Sequence, residues 1–229
     1  MPLYADFLSK PFWKHVARTC RLSAAVFCYD LMNEPIVPGE QTDDWLMPEG
    51  LGDMFYVQKI TRMPNGRTSH EIAKAWVDCL VTAIRSEDER HLIAVGVIPW
   101  ATVWPNAKPL FYDPAVAENL DFVSVHFYPE KQKIEEALPA LKVYAIGKLL
   151  VIAEMFSMKC SIEEMDRFID GSKPHARRNH HKKMAGISQI QTTESVNRYT
   201  VFGWHWTITK PYFPVNIAVS AMTSAANFR

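Results

Sequence analysis

Two glutamates stand at the ends of apolar runs in this 229-residue chain. Glu34 comes just after Ala24-Ala-Val-Phe-Cys-Tyr-Asp-Leu-Met32, and Glu154 directly follows Lys148-Leu-Leu-Val-Ile-Ala153. Each run has the length and β-rich character of a strand buried on both faces. A carboxylate in that setting needs a reason, because desolvating it without a partner costs several kcal/mol. A single glutamate after a strand reads as a solvated loop charge. Two in the same context point to a shared site, since a parallel sheet gathers its loops and exposed backbone groups at the C-terminal ends of its strands. A pair of carboxylates can perform both proton transfer and covalent catalysis, so no cofactor is expected.

The elements that must hold these groups alternate along the chain. A helix is expected over residues 9–20, with Ser9 as its cap and Phe12, Trp13, Val16, Ala17 and Cys20 as its apolar stripe. After the first strand, Pro, Gly and Asp clusters mark residues 36–67 as a long loop. The clearest helix runs from about Ser69 to Ser86, opened by the capping box Thr68-x-x-Glu71. Strands follow at His91–Ile98 and Asp121–Phe127, with a short helix opened by Asp113-Pro114 between them. A helix broken or restarted at Pro139 leads to a stop at Gly147. The strand before Glu154 comes next, and then a helix capped by Ser161-x-x-Glu164 and ended by Gly171. A last strand is expected at Thr200–Ile208, and the final twenty residues show no pattern. Strands alternating with helical segments imply βαβ units around a parallel sheet, an α/β fold. The domain is expected over residues 1–208, with 209–229 as a tail.

Composition narrows the function further. The 25 Lys+Arg balance the 25 Asp+Glu, giving no global field to draw in a polyanion, so neither nucleic acid nor an acidic membrane surface is an expected partner. No apolar run approaches the roughly 20 residues that cross a bilayer. Met1-Pro-Leu-Tyr-Ala-Asp-Phe7 lacks the form of a secretory signal, which leaves localisation open. Cys20, Cys28, Cys79 and Cys160 lie far apart with no C-x-x-C spacing and read as buried free thiols. The basic stretch between His175 and Lys183 reads as a solvated face, because it has neither paired acids nor metal-ligand spacing; no metal is expected.

Tyr29-Asp-Leu-Met-Asn-Glu-Pro35, Val125-His-Phe-Tyr-Pro129, Val151-Ile-Ala-Glu-Met155 and Gly203-Trp-His-Trp206 occur in an order and spacing that resemble clan A glycoside hydrolases, most closely the cellulase-like family 5. The resemblance covers about residues 9–171 well and the region of Trp204 loosely. It implies a (β/α)8 barrel and a retaining glycosidase acting on a β-linked glucan or mannan, with Glu34 as general acid/base and Glu154 as nucleophile. Asn33 would bind the sugar 2-hydroxyl, Tyr128 would hold Glu154, and His126 would bind a substrate hydroxyl or a neighbouring polar group. Trp206, or else Trp204, would form the stacking floor under the sugar. Trp100 and Trp104 are as well explained by loop anchoring as by an extended platform.

The resemblance also implies a gap. Only 25 residues precede the strand that resembles the family's fourth, so strands 1–3 are absent, and with them the Arg and His that the family places beside the nucleophile. The chain thus looks like a partial barrel, a C-terminal piece that a missing N-terminal segment of the same domain would complete. A sugar-binding remnant without turnover is the alternative to an active hydrolase.

Overall fold

The computed structural model describes residues 10–38, 60–61, 63–104, 106–155, 157, 159–176 and 217–220. The expected long loop lies mostly outside them, as do Ser9, Trp204, Trp206, the Thr200–Ile208 strand and most of the basic stretch. Four strands stand where the apolar runs place them: β1 (Val26–Asn33), β2 (Leu92–Val97), β3 (Val123–His126) and β4 (Leu150–Glu154). A further strand, β5 (Ile217–Ser220), lies in the stretch where no element was expected. Four residues are too few for periodicity to declare a strand. The sheet order is β4-β3-β2-β1-β5 and every pairing is parallel, so all C-terminal strand ends open on one edge.

Helix α1 (Lys10–Cys20) buries Trp13 and Ala17, whereas Phe12 remains 42% exposed and meets Trp13 edge-on, so it is not part of the buried stripe. Helix α2 (Ser69–Arg85) starts at the expected capping box: Thr68 Oγ1 accepts from the Glu71 amide, and the Glu71 carboxylate accepts from the Thr68 amide at 2.7 Å. Its face of Ile72, Ala73, Trp76, Val77, Leu80, Val81 and Ile84 is buried, joining Trp13, Tyr29, Ile93 and Val95 in the main core. Between β2 and β3 the chain makes short 3-10 turns at Leu110–Tyr112 and Ala117–Asn119 in place of the expected short helix.

Pro139 does not break α3 (Ile134–Ala140); it sits in the last turn, and the chain tightens into a 3-10 turn at Leu141–Tyr144. Gly147 then takes a left-handed φ of 83°, as expected of a stop. Gly171 does not end α4 (Ile162–Ala176), which runs through it. A Cβ at Gly171 would lie 2.6 Å from Leu138 Cδ1, so this glycine lets α4 press onto α3. The Ser161–Glu164 capping box that opens α4 is present. All four cysteines are free thiols, but only Cys28 is buried.

A second polar centre ties the start of β2 to β1. Asp88 Oδ2 accepts from the Tyr29 hydroxyl at 2.6 Å and lies 2.5 Å from His91 Nδ1, while Oδ1 accepts from the amides of Arg90 and His91. Burial opposes the Asp88 charge, but these bonds win and hold its carboxyl down to about 2.

Candidate active site

The strand register brings the two glutamates together. β1 and β2 pair with a shift between Asp30 and Asn33, which places Asn33 opposite Gly96 and turns the chain at the strand end. Glu34 follows with φ 47°, a left-handed conformation that a non-glycine residue adopts at a cost, and its amide donates to Gly96 O at 2.8 Å. On the other side β3 and β4 pair with a shift between Val125 and His126, which sets His126 opposite Glu154.

His126 is the hub. Its Nδ1 lies 3.0 Å from Glu34 Oε1 and 3.2 Å from Glu154 Oε2. The two carboxylate oxygens therefore cannot be farther apart than those distances laid end to end, about 6 Å. The imidazole is nearly inaccessible (4%), whereas the glutamate side chains keep 20% and 22% of their surface open, so solvent reaches the carboxylates but hardly the ring. The Tyr128 hydroxyl donates to Glu154 Oε1. Burial, that bond and the charges of Glu154 and Glu34 all push the phenol upward, so it stays protonated as a donor. Burial would lower the pKa of His126, but the bond to Glu34 and the charges of Glu34, Glu154 and Asp30 outweigh it and hold it above the ordinary 6.5.

Glu34, Glu154, His126 and Tyr128 thus form one constellation. Asn33 is half-buried beside it at the end of β1. Trp100 and Trp104, on the loop after β2, stand with ring centroids 5.3 Å apart and planes tilted by 45°. Trp100 also packs with Ile36, two residues beyond Glu34, which ties its loop to the segment after β1. Trp206 and Trp204 lie outside the described residues. Among the described residues no group of His, Cys, Asp and Glu is arranged to hold a metal ion, and no helix is long and apolar enough to cross a membrane.

Sequence reasoning passed over Asp30 and Gly96. Asp30 is 8% exposed in the middle of β1, and burial pushes its carboxyl up to about 6 against the charge of His126 and the amides of Gly96 and Met32. The signal was visible, since Asp30 is the one charged residue in the run from Ala24 to Met32.

The profile of the family described as Cellulase (glycosyl hydrolase family 5) matches residues 4–166. The chain belongs to glycosyl hydrolase family 5. A search of curated proteins gave no match. Among solved structures, the catalytic domain of Thermobifida fusca endoglucanase Cel5A superposes with a TM-score of 0.50 at 18% identity, over 76% of this chain and 49% of that one. The β-mannanase of the blue mussel Mytilus edulis is similar at 19% identity, over 68% of this chain and 48% of that one, with a TM-score of 0.43. The family 5 chain therefore spans about half the length of these structures. Its α/β architecture, matched to the Cel5A catalytic domain, is that of a partial barrel.

Proposed function

We propose that this family 5 chain carries the catalytic half of a retaining glycoside hydrolase for a β-linked polysaccharide or oligosaccharide, a β-glucan or mannan. The observation that supports this most strongly is the shared contact of Glu34 and Glu154 with His126 Nδ1. It keeps Glu34 Oε1 and Glu154 Oε2 within about 6 Å of each other, close enough for the roughly 5–5.5 Å between carboxyl groups that retaining enzymes use.

In this reading Glu154 attacks the anomeric carbon while Glu34 protonates the departing oxygen. Tyr128 steadies Glu154 for attack by donating to its Oε1, which leaves Oε2 beside His126. In the first step Glu34 gives its proton to the departing oxygen as Glu154 forms the glycosyl ester. In the second, Glu34, now a carboxylate, takes a proton from the water that releases the sugar. Asn33, beside Glu34, would take the 2-hydroxyl, where a hydrogen bond strengthens as the oxocarbenium-like state develops. Trp100 and Trp104, and Trp206 from the sequence pattern, are the stacking surfaces for the apolar sugar faces. The chemistry needs no cofactor.

The test is hydrolysis of an aryl β-glycoside, with the product anomer followed by proton NMR. Separate Glu34→Gln and Glu154→Gln substitutions should each abolish release, and the parent should yield the β-anomer first. A folded parent that binds oligosaccharide without cleaving it would replace this reading with that of a sugar-binding remnant. First release of the α-anomer would refute the retaining mechanism.

A further inference from the structure

A third carboxylate, that of Asp30, comes close to the hub histidine where β2 carries a glycine. Gly96 sits on β2 between Asp30 of β1 and His126 of β3. A Cβ built on it would fall 2.5 Å from His126 Nε2 and 2.7 Å from Asp30 Oδ2. Those two atoms therefore crowd one point and cannot be more than about 5 Å apart. The other oxygen, Asp30 Oδ1, accepts from the Gly96 amide at 2.9 Å, which fixes the carboxylate in place. Gly96 is thus a gap in the sheet through which Asp30 and His126 face each other, and any larger residue would close it.

The consequence follows from counting protons on the imidazole. A neutral ring carries one N–H and offers one lone pair. Here Nδ1 lies against the oxygens of Glu34 and Glu154, and Nε2 lies within about 5 Å of Asp30 Oδ2. With Glu154 and Asp30 ionised, negative charge on both sides of the ring favours its doubly protonated form. Among the described residues, the ion pairs of Glu34 and Glu154 are both made to His126. We propose that Asp30 is a positioning residue that, through the gap left by Gly96, holds His126 as the cation shared by the two glutamates.

This deepens the proposed hydrolase reading and rests on it for its role in catalysis, though not for its charge state. The held cation offsets the negative charge of Glu154 before attack, and that of Glu34 once its proton has gone to the departing oxygen, so it serves both steps. The charged and titratable groups facing the array are few. Glu34, Glu154 and Asp30 face His126, Glu154 also acts on Asp30, Tyr128 donates to Glu154, and Cys28 and Tyr112 feel the Asp30 charge. Burial pushes both of these last groups upward, so they stay neutral and His126 supplies the positive charge.

The experiment is imidazole 15N and 13C NMR of the histidine-labelled chain, with His126 assigned by the loss of its signals in His126→Gln. In the parent, both ring nitrogens should show imidazolium shifts at pH 6.5, with a midpoint above 6.5. Asp30→Asn keeps the acceptor for the Gly96 amide and removes only the charge; it should lower the His126 midpoint by about one pH unit or more. Gly96→Ala removes no charge but drives Nε2 and Oδ2 apart, and should lower the midpoint in the same direction. A neutral His126 in the parent at pH 6.5 overturns the proposal, as does an Asp30→Asn midpoint unchanged within a few tenths of a unit. Aryl β-glycoside hydrolysis separates this from the reading above: in the variants the alkaline limb of kcat/KM should move to lower pH. An inactive parent with the expected His126 titration would remove the hydrolase reading and leave the charge array standing.

Discussion

Replacing Asp88 by Asn should destabilise the fold in a way that fades with acid. The carboxyl is held down to about 2 in the folded chain against an ordinary 3.8, by bonds from Tyr29, His91 and two backbone amides after burial has worked the other way. A group whose folded pKa is depressed stabilises the fold at pH values above the unfolded one, and that contribution is lost as pH falls toward the folded one. At 1.36 kcal/mol per unit the ionised form contributes about 2 kcal/mol at neutral pH, and roughly half of it remains at pH 3. Asp88→Asn should therefore cost about 2 kcal/mol or more at pH 7, and the deficit relative to the parent should narrow by about 1 kcal/mol between pH 5 and pH 3. Urea unfolding followed by tryptophan fluorescence at those pH values reads this directly, with Trp13 packed edge-on against Tyr29. A deficit that is independent of pH, or that grows toward acid, would refute the reasoning, because the ionised carboxylate would then not be what holds β1 to the start of β2.

Two other outcomes follow from single contacts. Tyr128→Phe removes the hydroxyl that donates to Glu154 and leaves the ring; steady-state hydrolysis should show kcat lowered about 10- to 100-fold with KM little changed. Leu80→Ala opens a cavity on the buried face of α2, where Leu80 is 1% exposed, and should cost about 3 kcal/mol in denaturant unfolding without altering the His126 titration.

What the sequence made legible was whatever local chemistry decides. β1 to β4 are mainly apolar runs of strand length, interrupted in β1 by Asp30, and the α2 and α4 starts carry side chains that satisfy their own first amides. Glu34 and Glu154 were readable because a charge ending such a run is conspicuous. Gly171 was misread because a glycine after an apolar period marks either a stop or a close helix contact, and only the neighbour, Leu138, decides which. Phe12 follows the helical period of α1 but points beyond the width of the buried stripe. Asp30 and Gly96 are ordinary residues on separate strands until the register sets them side by side with His126, a juxtaposition that no spacing along the chain encodes. The bulge before Glu34 and its left-handed backbone are likewise products of pairing.

The central claim is that Glu154 becomes bonded to sugar while Glu34 handles the proton. Incubation with an activated 2-fluoro β-glycoside slows release of the glycosyl enzyme, and peptide mass spectrometry then locates the added sugar. The account predicts one fluoroglycosyl group on the peptide that contains Glu154, absent from Glu154→Gln. A folded chain that binds the reagent and forms no adduct, or carries it on Glu34, would contradict the account.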